Sequence, residues 1–278
     1  MSHVTFGASG GALTALRSAN QSFNASQKAV ATGRKVDDAA DNPALYAVAA
    51  QMRSESGGYA AIGDALGLGK ATVSLGRAAA EKVVGALSDI KSHILAASAP
   101  GAHTGAIQSD IDSLKDQVGS LIGGASFAGA NLLRGVSGDS YDVYVGGSGQ
   151  SGRIAVANQA LQGPGGSGGS LEALTGLNVG SFESREQALE AIDGMIGAAV
   201  DAAAALGSAE RRVDGHSEAL SDLARSVNSG ISALVDTDLE EESARMAADG
   251  AQKALATEMQ AIANAQSKNV LKLFENLA

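Results

Sequence analysis

The sequence predicts a mostly α fold: a long antiparallel coiled-coil helical rod with one small β-hairpin, and N- and C-terminal helices paired with each other. Three observations carry this. Apolar residues recur in steps of three and four over two very long stretches, and a 3.5-residue repeat of that kind keeps one narrow stripe facing partner helices. Between those stretches the period changes to two, the period of a strand. Shorter three-four patterns occupy both chain ends, so the termini are expected side by side.

The N-terminal helix shows Leu13, Leu16, Phe23 and Val30 and stops at Thr32-Gly33. After Asp41-Asn42-Pro43, Asn42 can cap a new helix and Pro43 fits its first turn. Its stripe runs Leu45, Val48, Met52, Tyr59, Ile62, Leu66, Val73, Ala80, Val83, Leu87, Ile90, Ile94, interrupted by Glu55, Gly69 and Gly76. Pro100-Gly101 ends it. A second helix carries Ile107, Ile111, Leu114, Val118 and Leu121 and breaks at Gly123-Gly124. Tyr141, Val143 and Val145, then Ile154 and Val156, alternate with polar residues across a Gly/Ser turn, which predicts a β-hairpin near 140–158. Gly163 to Gly169 reads as a flexible connector.

Heptads then resume with Leu189, Ile192, Ile196, Ala199, Ala203 and Leu206. After a local slip they continue through Val213, His216, Leu220, Leu223, Val227 and Leu234. The last helix begins near Thr237-Asp238, with Glu240 placed for a capping box, and shows Leu255, Met259, Ile262, Val270, Leu273 and Leu277.

Composition narrows the function classes. Aromatics are 3% and tryptophan is absent, so Ala, Leu, Val and Ile must build the core, as suits closely packed helices. A net charge of -10 argues against nucleic acid and anionic membrane surfaces as partners. With no cysteine, disulfides, thiolate metal sites and cysteine nucleophiles are excluded. Residues Met1 to Gly7 have neither a basic segment nor an unbroken apolar run, so no cleaved secretory signal is expected, and no window suits a membrane span.

Short motifs that resemble chemical sites fail on context. Gly147, Gly149 and Gly152 spell a dinucleotide fingerprint but precede an alternating strand where a helix is required. Gly69-Lys70 resembles a phosphate loop, yet Asp64 and Ala71 occupy its first glycine and its hydroxyl position. Asp236, Asp238 and Glu240 begin like a calcium loop, but Glu241 stands where the turn needs glycine; acidic residues at a helix start account for them. His3, His93, His103 and His216 lack metal-ligand spacing. Asn20-Gln21-Ser22 and Asn24-Ala25-Ser26 match glycan acceptors but fall on a helix expected to pack. No cofactor, metal site or catalytic residue is expected.

Two segments carry a family text. Residues 31 to 53, from Ala31-Thr32-Gly33-Arg34-Lys35-Val36-Asp37-Asp38 through Asp41-Asn42-Pro43 to Gln51-Met52-Arg53, resemble the flagellin segment joining the terminal helix to the first rod helix. Leu234-Val235-Asp236-Thr237-Asp238-Leu239-Glu240-Glu241-Glu242-Ser243-Ala244-Arg245-Met246 resembles that family's return linker, and Leu271-Lys272-Leu273-Phe274 its ending. The resemblance is to bacterial flagellins of the short, rod-only, alphaproteobacterial type. It implies an inner domain of residues 1–40 and 240–278 and an outer rod of 41–239. It further implies a non-enzymatic subunit of the flagellar filament for swimming motility, secreted without a cleaved signal to the cell exterior.

Implied partners are further copies of the chain, paralogous flagellins, the flagellar export apparatus and its chaperone, and filament cap and hook-junction proteins. Two paired helices leave much of each apolar stripe uncovered, so Leu13, Leu16, Phe23, Val30, Leu255, Met259, Ile262, Leu273 and Phe274 are the expected polymerisation interface. Alternatives are a hook-filament junction protein, which shares the end helices, and a coiled-coil binding module that never elongates. The match from Asp236 to Met246 favours the filament subunit.

Overall fold

Three of the helices start where a side chain satisfies free amides. The Asn42 side-chain oxygen accepts the Leu45 amide at 3.1 Å, and α2 (Pro43–Ala96) begins at the proline, as expected. Ser181 Oγ accepts the Ser184 amide at 3.1 Å and opens α4 (Phe182–Val235). Asp238 Oδ1 accepts the amides of Glu240 at 2.9 Å and Glu241 at 3.4 Å, so the cap of α5 (Leu239–Glu275) lies one residue beyond the Thr237 of the expected box. Thr237 is engaged elsewhere, its amide donating to the Gly33 carbonyl at 3.1 Å.

The other elements are α1 (Ser2–Thr32), α3 (Thr104–Gly124), β1 (Ser140–Tyr144), β2 (Arg153–Ala157) and a 3-10 turn (Glu172–Gly176). This is a computed structural model, and it describes residues 2–134, 138–146, 152–162 and 169–275. The predicted hairpin turn at 147–151 and the glycine-rich residues 163–168 lie outside the described residues. So do the side chains of residues 2–9, 182, 267 and 269–275. The chain divides into two compact units, Gly57–Ala224 and the combination of Met1–Ser56 with Arg225–Ala278.

In the unit Gly57–Ala224, α2 buries Leu66, Val73, Ala80, Leu87 and Ile94, each seven residues from the last, together with Val83 and Ile90. Gly69 and Gly76 do not interrupt this seam as expected; they are its receiving slots. A Cβ at Gly69 would collide with Val143 of β1, and one at Gly76 would sit 3.3 Å from Leu206 Cδ1 and 3.5 Å from Leu132 Cβ. The missing side chains let a strand and a second helix close onto α2.

Opposite lies α4, whose buried residues Ala188, Ile192, Met195, Ala199, Ala202, Leu206, Ala209 and Val213 alternate in steps of four and three without a slip. Leu189, Ile196 and Ala203, expected on the seam, flank it half-buried, and His216 and Leu223 are exposed. Periodicity favours the larger side chain, whereas close antiparallel packing places the smaller one nearest the partner axis. Ion pairs Lys91–Asp193 at 2.5 Å, Arg77–Glu210 at 2.7 Å and Lys70–Asp214 at 2.6 Å step along α2 and α4 in opposite directions, which marks the antiparallel register.

Helix α3 contributes Ile111, Val118 and Ile122 to the core. The strands pair antiparallel with Val143 opposite Ile154 and Tyr141 opposite Val156, and they bury Val143, Ile154 and Val156. The connecting segments and the 3-10 turn add to the core: Leu132, Leu133, Leu161, Leu171, Leu174, Leu177 and Val179 are all buried. Their backbones are tied in, with Leu161 N donating to Leu133 O at 2.9 Å and Val179 N to Gln108 Oε1 at 3.0 Å.

The glycine slots make a prediction about stability. Gly69→Ala is expected to destabilise the protein by about 1–3 kcal/mol through displacement of the strand carrying Val143. Gly85, an exposed helix position with open space at its Cβ, is the control: Gly85→Ala is expected to stabilise by about 0.5–1 kcal/mol. Urea unfolding of both variants measures the difference.

Candidate assembly interface

The unit formed by the two chain ends is organised by its linkers. Gly33, at φ +69°, ends α1 in the left-handed conformation that glycine adopts without strain. The following residues pair with the segment between α4 and α5: Arg34 bridges Asp236, and the amides of Lys35 and Val36 donate to Val235 O at 2.8 and 3.3 Å. Val36, Val235 and Ala49 are buried there. Lys28 reaches from α1 to the other linker, contacting Asp38 at 2.6 Å and Asp41 at 2.8 Å.

That lysine and the local backbone shape the acids around it. Asp41 Oδ2 also accepts the Asp37 and Asp38 amides at 3.0 and 3.1 Å. Hydrogen bonding from Lys28, then from these amides, lowers the Asp41 carboxyl to about 2. Asp38 is lowered as well, first by Lys28 and then by the Ala40 amide, and Lys28 is raised by both carboxylates. All three groups are exposed to solvent.

Helices α1 and α5 run antiparallel along a heptad seam. On α1 it comprises Ala12, Leu16, Ala19, Phe23, Ser26 and Val30; on α5 it comprises Glu242, Met246, Asp249, Lys253, Ala256, Gln260 and Ala263. Ser26 Oγ donates to Asp249 Oδ2 at 3.0 Å, with only 3% and 8% of the two residues exposed. The Phe23 ring lies against Gly250, where a Cβ would be 3.5 Å from Cε2, and Lys253 Nζ stands 4.8 Å above its centroid. Such a cation over an aromatic face is attracted by the ring quadrupole.

Apart from Met246, the α5 side of the seam is thus small or polar, and Leu255, Met259 and Ile262 of that helix lie elsewhere. Leu255, Met259 and Ile262 are 61%, 56% and 60% exposed, and Leu13 on α1 is 40% exposed. Leu16, Phe23 and Val30 are half-buried in the chain's own seam. Leu273 and Phe274 belong to α5 by backbone, but their side chains lie outside the described residues. Sequence reasoning did not find the Ser26–Asp249 pair. Its signal was the seven-residue spacing of Glu242, Asp249 and Ala256, which an apolar search passes over.

Long antiparallel helices with large apolar side chains exposed on a terminal helix are features of a helical protein that leaves surface open for association. Known proteins give the particular family. The bacterial flagellin N-terminal helical region matches residues 5–137 and the bacterial flagellin C-terminal helical region matches residues 189–274. Flagellin of Brucella melitensis is 30% identical over 272 residues, covering 95% of each chain. Flagellin C of Rhizobium meliloti is 29% identical, covering 95% of this chain and 96% of its own, and flagellin FljM of Caulobacter vibrioides is 28% identical with 95% and 94%. A flagellar hook-associated protein from Vibrio parahaemolyticus has a similar fold, with a TM-score of 0.57, 16% identity, and coverage of 70% of this chain and 99% of that one.

The chain belongs to the bacterial flagellin family. It is a structural subunit of the extracellular flagellar filament, which forms by self-polymerisation.

The Lys28 cluster predicts an acid dependence. Asp41 is lowered below its ordinary value of 3.8, so its contribution is complete above about pH 4 and is lost as pH falls towards about 2. Lys28 is raised, so its contribution holds below its ordinary value and is lost only at higher, strongly alkaline pH. The NMR shifts of the Asp37 and Asp38 amides are expected to titrate near pH 2 in the natural chain and to lose that step in Asp41→Asn.

Proposed function

We propose that the chain polymerises through α1 and α5, with residues 1–40 and 240–278 forming the inner domain of the filament and 41–239 the outer rod. The observation that carries this reading is the exposure of Leu255, Met259 and Ile262 on a helix that meets α1 through mostly small and polar residues. Covering three large apolar side chains in each of many identical subunits removes a substantial area from water, at about 25 cal/mol per Å². Repeated contacts between unlike surfaces that do not close into a ring generate a helix. The interface comprises Leu13, Leu255, Met259 and Ile262 directly, with Leu273 and Phe274 continuing α5. Leu16, Phe23 and Val30 act by holding α1 against α5.

In this reading the chain has no catalytic role, and the family's structural character supports that. It leaves the cell without a cleaved signal, through the flagellar export apparatus with a chaperone. In the filament it joins paralogous flagellins, cap proteins and hook-junction proteins. Coverage of 95% of both this chain and the Brucella flagellin supports the filament subunit over a junction protein.

Leu255→Asp and Ile262→Asp test the interface. Both residues are exposed in the subunit, so subunit stability is expected to change by under about 0.5 kcal/mol. Elongation from filament seeds, followed by electron microscopy, is expected to fall at least about tenfold, because an unpaired charge is buried at every contact. Phe23→Asp is expected to lower both elongation and the helicity of the chain ends. Normal elongation by both α5 variants would place the interface elsewhere.

A fragment of residues 45–235 tests the division of labour. It retains all of Gly57–Ala224 with its apolar core. It is expected to melt cooperatively as a helical monomer and to leave seeds unextended.

A further inference from the structure

The α1–α5 seam is nearly degenerate. Among its buried positions, Ala12, Ala19 and Ser26 on α1 and Glu242, Asp249 and Ala256 on α5 recur every seven residues, with Ala29 buried beside them outside that repeat. A seam of small side chains at that spacing packs almost equally well after sliding one helix by a heptad. Ser26 opposite Asp249 sets Ala19 opposite Ala256 one heptad away. Sliding α5 one way sets Asp249 against Ala19 and brings Ser26 to Glu242. Sliding it the other way sets Asp249 against Gly33 and Ser26 against Ala256.

We infer that the buried Ser26–Asp249 hydrogen bond selects the register of the terminal helix pair together with the linker bond from Thr237 N to Gly33 O, and with it the position at which the α5 apolar residues are presented to the next subunit. This rests on the reading of α1 and α5 as the assembling helices. In the shifted alignments the residue opposite Asp249 is Ala19 or Gly33, neither of which has a side-chain donor, and a buried carboxylate that loses its partner is strongly disfavoured. A single buried polar group setting register at some expense of stability is an established use of such residues in coiled coils. Phe23 discriminates in the same sense. In the native register it faces Gly250, and a one-heptad slide in either direction brings Ser243 or Thr257 to that place and moves Lys253 off the ring. At 1.5 Å per residue a heptad is about 10 Å, so a shifted subunit would offer Leu255, Met259 and Ile262 to its neighbour about two turns out of place.

The chain contains no cysteine, so introduced cysteine pairs report register without background. In the full chain, Ala19→Cys with Ala256→Cys reports the native alignment. Ala12→Cys with Ala256→Cys and Ala19→Cys with Ala263→Cys report the two shifted ones. Intrachain disulfide is measured after mild oxidation, both in subunits and in seeded filaments.

With Ser26 and Asp249 intact, the native pair is expected to close and the shifted pairs to stay at least about tenfold lower. Asp249→Ala is expected to raise a shifted pair by on the order of tenfold to a hundredfold, the population equivalent of a hydrogen bond to a charged group. Asp249→Asn keeps an acceptor oxygen and is expected to preserve the native pattern. If Asp249→Ala loses helicity, Ser26→Ala decides, since alanine strengthens the helix while removing the donor. The native pattern alone in both alanine variants overturns the inference. A natural seam that closes the native pair in a chain unable to extend seeds overturns the assembly reading and leaves the register assignment standing.

Discussion

Close approach of antiparallel helices, permitted by alanine and glycine at seam positions, is the constraint on which both units depend. In Gly57–Ala224, α4 presents Ala188, Ala199, Ala202 and Ala209 between Ile192, Met195, Leu206 and Val213, so the larger side chains interdigitate while the backbones stay near. On α2 the same purpose is served by absence of a side chain, with Val143 seated at Gly69 and Leu206 and Leu132 at Gly76. A chain with 3% aromatics builds its core this way, because dispersion contacts accumulate over many short distances and not over a few large rings.

The chain ends use the same spacing for a different outcome. Their buried positions include Ala12, Ala19, Ala29 and Ala256, but Ser26, Glu242 and Asp249 are buried with them. Polar groups in such places are costly unless partnered, and here Asp249 takes the Ser26 hydroxyl and Glu242 accepts Arg245 at 3.3 Å. A pair of helices joined by a polar seam gains less from burial than one joined by leucines. Leu255, Met259 and Ile262 of α5 remain available on its surface, which is the distribution an assembling subunit needs.

Charged contacts give the structure direction more than strength. The ladder from Lys91–Asp193 to Lys70–Asp214 lies on partly exposed surface, where single ion pairs contribute little. Lys28 differs in kind, since one ammonium holds two carboxylates whose oxygens also accept linker amides. That arrangement ties the end of α1 to the start of α2 across the turn at Gly33.

Local chemistry was legible in the residues themselves. Asn42-Pro43 marked the start of α2 because capping and a fixed proline φ act over a few bonds. Alternation of Tyr141, Val143, Ile154 and Val156 marked the hairpin because strand side chains point to opposite faces in turn. The family segments around Asp41 and Asp236 carried the identity, and the spacing of Leu255, Met259 and Ile262 marks an apolar stripe that two paired helices leave uncovered. Tertiary structure alone decided which face of each helix meets a partner. Periodicity locates a stripe of large side chains, whereas packing selects by fit, so Ala188 displaced Leu189, glycines became slots, and leucines such as Leu133 in a connecting segment and Leu174 in the 3-10 turn joined the core. The same selection put Ser26 against Asp249 and left the leucine face of α5 open, because the pairing of two residues 223 positions apart is set by the meeting of helices and by nothing adjacent in the chain.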